Sequence, residues 1–271
     1  MATTFLIVSD THDDAFPDPA TLPSKVDVVL HCGDLTMIGG LRNYKKAIAN
    51  IKAIDAELRL VIAGNHDVSL DPKWWQNNLI EEEDDPEEPA QALALFAAEK
   101  GNGLHLLEEG THKFTLSDGR AFTVYASPYT PEFNGYAFAY GANEDRFGPG
   151  AEHPIPEGVD IVMTHGPPLL SSQDYVLDVN RQGNHCGCPK LYDAIRRARP
   201  KLHCFGHIHE GYGVQTIVWK PQNMELEAGS RDPAEPRACE DGRTVLVNAA
   251  VMNHGEENNN KPWVVRLELG C

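Results

Sequence analysis

The chain is short of positive charge: 23 lysines and arginines stand against 40 acidic residues, a net charge of −17 over 271 residues. Long nucleic acids and anionic membrane surfaces need basic patches, so neither is expected as a partner. The chain also lacks a long apolar run. Nothing approaches the ~18 consecutive apolar residues of a membrane helix. Phe5-Leu6-Ile7-Val8 is too short for a signal-peptide core and has no basic flank. The six cysteines, at 32, 186, 188, 204, 239 and 271, make no disulfide framework for a chain this long. Cys32 and Cys204 lie inside apolar runs and read as buried thiols of a reducing, cytoplasmic compartment. No internal repeat or linker divides the sequence, so one domain spanning 1–271 is expected.

Part of the acidity is local. Glu81-Glu82-Glu83-Asp84-Asp85-Pro86-Glu87-Glu88 carries seven acids in eight residues, which reads as a solvated loop, with a partner surface as the alternative.

What is present is a series of short apolar runs, each ending in polar residues. Thr4-Phe5-Leu6-Ile7-Val8 leads into Ser9-Asp10-Thr11-His12, where Asp10 and His12 are two apart and share a face of an extended backbone. Val26 to Cys32 leads into Gly33-Asp34, with His31 inside the run reading as a core or supporting histidine. Ala47, Ile48, Ile51, Ile54 and Leu58 recur at helical spacing. Leu60-Val61-Ile62-Ala63 then ends in Gly64-Asn65-His66-Asp67. Strand, helix and strand in this order predict parallel pairing with a right-handed crossover. Asn65 offers a neutral oxygen, His66 can move a proton near neutral pH, and Asp67 is placed to fix the His66 tautomer from behind.

Further on, Trp74-Trp75 is expected to pack on the core, Ala90 to Lys100 reads as a helix, and Leu104 to Leu107 as a short strand. Lys113–Ser117 and Ala121–Tyr125 flank Asp118-Gly119, which suits a type I′ hairpin and points to an antiparallel or mixed second sheet. Pro128 to Pro156, rich in Gly, Pro and aromatics, reads either as a substrate-side lid or as surface packing. Val159 to Met163 ends in Thr164-His165-Gly166, Pro189 to Arg199 is a helix with proline at its first position, and Leu202 to Phe205 ends in Gly206-His207-Ile208-His209. Residues 219–243 read as an irregular insertion, followed by final strands at 244–250 and 263–269. His185-Cys186-Gly187-Cys188 reads as loop packing in preference to a metal or redox site.

Five strand ends thus carry Asp10 and His12, Asp34, Asn65 and His66, His165, and His207 and His209. In sheets fed by βαβ units, ligands gather at the carboxyl ends of strands. Seven of these side chains are metal ligands, too many for one tetrahedral ion, and paired ions ~3.5–4 Å apart bridged by a carboxylate are the common hydrolase arrangement. A nitrogen and oxygen donor set without thiolate favours two divalent ions, Mn first, with Fe, Mg or Zn as the others, over copper(I) or an iron–sulfur cluster.

The ordered motifs Asp-x-His, Gly-Asp, Gly-Asn-His-Asp, Thr-His-Gly and Gly-His-x-His resemble the calcineurin-like metallophosphoesterase superfamily, over nearly the whole chain from Asp10 to His209. Gly33-Asp34-Leu35-Thr36, Thr164-His165-Gly166-Pro167-Pro168, Gly206 to Gly213, Asn134-Gly135 and Val247-Asn248-Ala249 are similar to the fetal-brain type metallophosphoesterase-domain proteins, grouped with class III cyclic-nucleotide phosphodiesterases. The resemblance implies an α/β fold of two stacked mixed sheets flanked by helices, an αββα sandwich. It implies that Asp10, His12 and His209 hold one metal, that Asn65, His165 and His207 hold a second, and that Asp34 bridges them. It implies that His66 contacts the phosphate and protonates the leaving oxygen, oriented by Asp67. Some fetal-brain type proteins replace the last histidine of Gly-His-x-His with glycine and become poor enzymes; here His209 is present. Purple acid phosphatases place a tyrosine where this chain has Met37, so a tyrosinate-bound ferric ion is not expected.

The expected activity is hydrolysis of small phosphodiesters, cyclic nucleotides (2′,3′- or 3′,5′-) first, with the bound ions reconciling an acidic protein with an anionic substrate. A phosphomonoesterase or protein phosphatase on the same core is the alternative. Monoesters carry an extra charge, which Arg42, Arg146 or Arg181 would have to meet. A non-catalytic nucleotide-binding protein is the third reading, disfavoured by the complete ligand set.

Overall fold

The structure, a computed structural model, describes residues 2–13, 16–18, 21–80, 82–170, 172–233, 237–253 and 259–269. Glu81, Cys271 and residues 234–236 of the expected insertion lie outside them.

The chain begins β1 (Ala2–Val8), β2 (Val28–His31), α1 (Leu41–Lys52), β3 (Leu58–Val61), α2 (Pro72–Asn78), α3 (Glu88–Glu99) and β4 (Leu104–Leu106). It continues β5 (Gly110–Thr115), β6 (Ala121–Ser127), β7 (Thr130–Pro131), β8 (Ala139–Tyr140), β9 (Ile161–Thr164), α4 (Pro189–Ala198) and β10 (Leu202–Phe205). It closes with β11 (Gly213–Trp219), β12 (Met224–Leu226), β13 (Arg237–Cys239), β14 (Arg243–Asn248) and β15 (Trp263–Glu268).

One sheet has the order β13-β15-β1-β2-β3-β4 and the other β12-β11-β14-β10-β9-β6-β5. In the first, β1, β2, β3 and β4 pair in parallel and β15 runs antiparallel to β1. In the second, β6, β9, β10 and β14 are parallel, while β5, β11 and β12 are antiparallel additions at the flanks. Both sheets are mixed, as the resemblance implies.

The strands alternate as a two-faced sheet requires. Phe5 and Ile7 of β1 enter the central core, where Val28, Leu30 and Leu60 meet Phe122, Val124, Met163 and Val247 of the other sheet. Leu6 faces the outer side with Val29 and Ile54. The outer face of the first sheet is covered by the apolar stripe Tyr44, Ala47, Ile48 and Ile51 of α1, with Trp75, Ala92 and Phe96. On the outer face of the second, Leu191, Ala194, Ile195 and Ala198 of α4 pack on Tyr125 and Val162. The layers are therefore helix, sheet, sheet, helix.

Three expectations are corrected. The hairpin turn is not type I′: Leu116 donates to Arg120 O at 2.8 Å and only Gly119 of the Asp-Gly pair takes a positive φ. That is a three-residue loop, in which one left-handed glycine suffices. Residues 219–243 are not wholly irregular. Met224–Leu226 pairs with β11, and Arg237–Cys239 extends the other sheet beside β15; both are three-residue edge strands, too short to show a period in the sequence. The strand before them, β11, also went unread from the sequence. The aromatic loop divides between its two readings. Its first part approaches the strand-end residues described below, whereas Tyr140, Phe147 and Ile155 of its second part pack against α4.

Candidate metal centre

The polar strand ends converge where the two sheets meet. Asp10 follows β1, Asp34 follows β2, and Asn65 and His66 follow β3; His165 follows β9, and His207 and His209 follow β10. All leave the carboxyl ends of parallel strands. The ends are stitched together by backbone bonds: Asp10 N donates to Gly33 O at 3.0 Å, His12 N to Asp34 O at 3.1 Å, and Gly206 N to His165 O at 2.9 Å.

The approach is tight enough to require glycine at three points. A Cβ on Gly64 would stand 2.2 Å from Asp34 Oδ1, one on Gly206 2.0 Å from Asp10 Oδ2, and one on Gly33 2.6 Å from His165 Nδ1. Asp10, His12, Asp34 and His207 themselves take positive φ, a backbone conformation unfavourable for side-chain-bearing residues and characteristic of functional turns.

Two groups of ligand atoms form, Asp10 with His12 and His209, and Asp34 with His165 and His207. His209 Nε2 lies 3.2 Å from Asp10 Oδ1, and His12 Nε2 lies 3.5 Å from Asp34 Oδ2, which links the groups. His165 Nε2 stands 3.4 Å from Asp34 Oδ1 and 2.9 Å from Asn65 Oδ1. The seven expected ligands are thus gathered in one place, with Asp34 between the two sets.

The tautomers follow from the outer contacts. A backbone carbonyl only accepts, so His165 Nδ1–H donates to Cys32 O at 2.9 Å and His12 Nδ1–H to Thr36 O at 3.2 Å. Both rings then turn the Nε2 lone pair inward, the arrangement that metal-binding histidines adopt. Lone pairs of carboxylates, an amide oxygen and imidazoles meet here at 2.9–3.5 Å. Such a crowd of acceptors is held together by cations or by protons. Two carboxylates, one carboxamide and four imidazoles, with no thiolate, suit two divalent ions.

The charges agree. Burial opposes ionisation of Asp10, but His209 at hydrogen-bond distance and His165 and His12 nearby hold its carboxyl far below the usual range. Burial likewise opposes charge on Asp34, and His165 outweighs it, leaving a value of about 2. Burial would neutralise His165, yet the Asp34 and Asp10 carboxylates raise it to about 9. Burial keeps His207 down at about 4. Two anions balanced by a retained proton are what a cation replaces, since binding releases protons from its ligands.

His66 is half-buried at the rim. Its Nδ1–H donates to Met37 O at 2.7 Å, and its ring lies 4.5 Å from that of Tyr136 and 4.9 Å from that of His12. Asp67 does not orient it. The Asp67 carboxylate is fully buried and accepts from Gly64 N at 2.9 Å, Leu35 N at 3.2 Å, and Thr36 N and Oγ1 at 3.0 and 2.9 Å. It ties the Asp34 turn to the Asn65 turn. The expected hydrogen bond to His66 fails because, in a tight turn, consecutive side chains diverge.

Sequence reasoning missed two supports. Tyr136 reaches His66 from 70 positions away. Asn248, at the end of β14, donates to Leu177 O at 2.9 Å and Ile208 O at 2.8 Å, holding the loop that carries His207 and His209. Of the three arginines considered, Arg146 is committed: its guanidinium lies 3.7 Å over the Tyr129 ring and pairs with Glu109 and Glu144. Arg42 is exposed at the start of α1. Arg181 pairs with Glu210 at 3.8 Å and lines both of two cavities that adjoin the centre. One, of about 470 Å³, includes Phe133 and His207; the other, of about 800 Å³, includes His209, Arg231 and Asn260. His185, Cys186 and Cys188 have separate tasks: His185 Nδ1 bonds Asp178 at 2.7 Å, Cys186 is exposed, and the buried Cys188 Sγ caps α4 by accepting from Leu191 N.

The chain belongs to the calcineurin-like phosphoesterase family, whose model matches residues 3–211. Its relatives include the metallophosphoesterase domain-containing proteins. It is 33% identical over 275 residues to human metallophosphoesterase domain-containing protein 1, with 98% of this chain and 71% of that protein covered. It is 28% identical over 276 residues to UPF0046 protein T07D4.2 of Caenorhabditis elegans, covering 98% of this chain and 60% of that one. A solved structure superposes with a TM-score of 0.51 at 12% identity, over 85% of this chain and all of the other, a likeness of fold alone. A metal-dependent phosphoesterase with a dinuclear site of His and Asp ligands follows from family and geometry together. Among the described residues, no helix is long and apolar enough to cross a membrane.

Proposed function

We propose that this chain hydrolyses small phosphodiesters, with cyclic nucleotides (2′,3′- or 3′,5′-) as its substrates, two manganese ions as its cofactor and the cytoplasm as its place of action. The observation that carries the reading is the closed ligand set, complete to His209 within 3.2 Å of Asp10. The buried free thiols Cys32, Cys188 and Cys204 support a reducing compartment.

Asp10, His12 and His209 would hold one ion, and Asn65, His165 and His207 the other, with Asp34 serving both. When bound, the ions supply charge neutralisation of the phosphate and a water of lowered pKa. The chain does the rest. Backbone N–H groups of His207 and His66 fix the Asp10 and Asp34 carboxylates at 3.0–3.1 and 2.9 Å. His66 Nδ1–H is spent on Met37 O, so the proton for the leaving oxygen comes from Nε2 of the doubly protonated ring, which returns to the neutral Nδ1–H tautomer. General acid help of this kind contributes typically ~10²–10⁴-fold.

A second reading, phosphomonoesterase activity, is favoured by Arg181 beside the centre, where it can meet the extra charge of a monoester. Metal-loaded protein assayed in parallel on 2′,3′-cyclic AMP, 3′,5′-cyclic AMP and a phosphomonoester separates the two. Turnover of a cyclic diester, lost in Asp34→Ala, supports the first reading. Turnover of the monoester alone transfers the assignment to the second, and no turnover of any of them sinks both.

A further inference from the structure

We propose that the exposed ring of Phe133 is a nucleobase shelf, held beside His207 by a braced turn and facing a second turn that carries Arg181 and Gln182. The inference rests on the nucleotide-hydrolase reading above and names the residue that would select a base-bearing substrate.

A single exposed apolar side chain is ordinary on a protein surface. Phe133 is not ordinary in how it is held. It is 59% exposed, yet its turn is fixed on every side. Thr130 N and Glu132 N donate to Phe138 O and Tyr140 O at 2.9 Å, closing the base of the excursion. Gly135 N donates to Glu132 Oε1 at 3.1 Å, and the Trp74 indole N–H donates to Gly135 O at 2.7 Å. Phe138 N donates to Asp71 Oδ2 at 2.9 Å, tying the turn to the start of α2. Asn134 and Gly135 both take positive φ, at 55° and 71°, and Tyr136 N donates to Phe133 O at 3.4 Å; Asn-Gly is the pair that favours this turn, so the local sequence sets where the ring stands.

The same turn carries Tyr136, whose ring packs on His66 at 4.5 Å. The position of Phe133 is therefore indexed to the strand-end residues: one aromatic of the turn contacts the proposed proton donor, and another lines a cavity with His207.

The facing wall is equally built. Asn180 Oδ1 accepts from Gln182 N and Asn184 N at 3.0 Å, and Gly183 N donates to Asn180 O at 2.9 Å. The buried Asp178 carboxylate anchors the turn from below through His185 Nδ1 and Gly187 N. Arg181 and Gln182 line the same cavity of about 470 Å³ as Phe133. A cavity of this size takes a nucleoside-sized group. Its lining joins an aromatic face, which any base can stack on, to Arg181 and Gln182 as donors, Glu132 and Glu210 as acceptors and His207 of the centre, with Arg181 paired to Glu210 at 3.8 Å.

Stacking of a base on an aromatic side chain is worth roughly 5- to 150-fold in affinity and tolerates any base. The test compares a pair of ligands that differ by the base alone, adenosine 5′-monophosphate and ribose 5-phosphate, titrated calorimetrically into the manganese-loaded protein. The expected result is about tenfold or greater weakening of the nucleotide in Phe133→Ala, ribose 5-phosphate unchanged within about twofold, and recovery of the nucleotide in Phe133→Tyr. Equal weakening of both ligands, or weakening of neither, overturns the shelf. Failure of the underlying reading looks different, because it shows as turnover of monoesters without cyclic diesters, whatever the base dependence of binding.

Discussion

The carboxylate of Asp10 receives the backbone N–H of His207 on both oxygens, at 3.1 and 3.0 Å, across 197 residues of sequence. Asp10 ends a strand of one sheet and His207 follows a strand of the other. One side chain therefore joins the sheets and contributes to the first ligand group. Asp10→Asn keeps the shape and loses the charge that balances His209 and His12. It is expected to weaken metal binding by about 100-fold or more, read by calorimetric titration of metal-free protein. An unchanged metal isotherm would remove Asp10 from the centre.

Asp67 acts on stability, not on His66. Its removal leaves the N–H groups of Gly64, Leu35 and Thr36 and the Thr36 hydroxyl without their acceptor in a buried place. Asp67→Ala should cost on the order of 3 kcal/mol or more, measured as a lower urea midpoint of the metal-free protein. A midpoint equal to the wild type would contradict this role.

The contrast between Asp67 and the ligands shows how far a sequence can be read. Asp10 with His12, and His207 with His209, were legible as polar residues placed just after apolar runs; the extended backbone expected to align each pair is replaced by turns, with Asp10, His12 and His207 at positive φ. The parallel core strands were legible as unbroken apolar runs flanking a helix. Asp67 was misread because adjacency in sequence was taken for contact. Tyr136 and Asn248 act on partners 70 and 40 positions away; Val247-Asn248-Ala249 was marked by resemblance, but no local pattern shows what either side chain holds. β12 and β13 are three-residue edge strands, too short for an alternating pattern to show.

Tyr136 supports the His66 ring from one face while Met37 O holds its Nδ1–H. Tyr136→Ala should lower kcat by roughly ten- to hundredfold, because a small misplacement of a reacting group is costly. Tyr136→Phe keeps the ring and should stay close to the wild type. If the two variants are alike, the stack does not position His66.

His203 sets an acid limit. It is fully buried, bonded to Thr164 Oγ1 at 2.9 Å, and burial holds its value down at about 3 against 6.5 for a free imidazole. The unfolded chain takes a proton as the pH drops through 6.5, whereas the folded chain resists until about 3. Stability present at neutral pH is therefore lost progressively between these values. In chelator-treated protein, the drop in urea midpoint from pH 7 to pH 4 should be smaller for His203→Gln than for the wild type. Parallel curves would show that His203 is not the group responsible.

The most direct test of the account is the metal stoichiometry of this chain, measured with its thermal stability. Metal-free protein titrated with Mn²⁺ should take up two ions per chain, with melting temperature rising as they bind, since a ligand at about 1,000 times its Kd adds about 4 kcal/mol. Asp34→Ala, which removes the carboxylate between the two ligand groups, should lose the two-ion uptake and most of the thermal gain. Uptake of fewer than two ions by the wild-type chain, or an Asp34→Ala protein that still binds two with undiminished gain, would contradict a dinuclear centre built on Asp34.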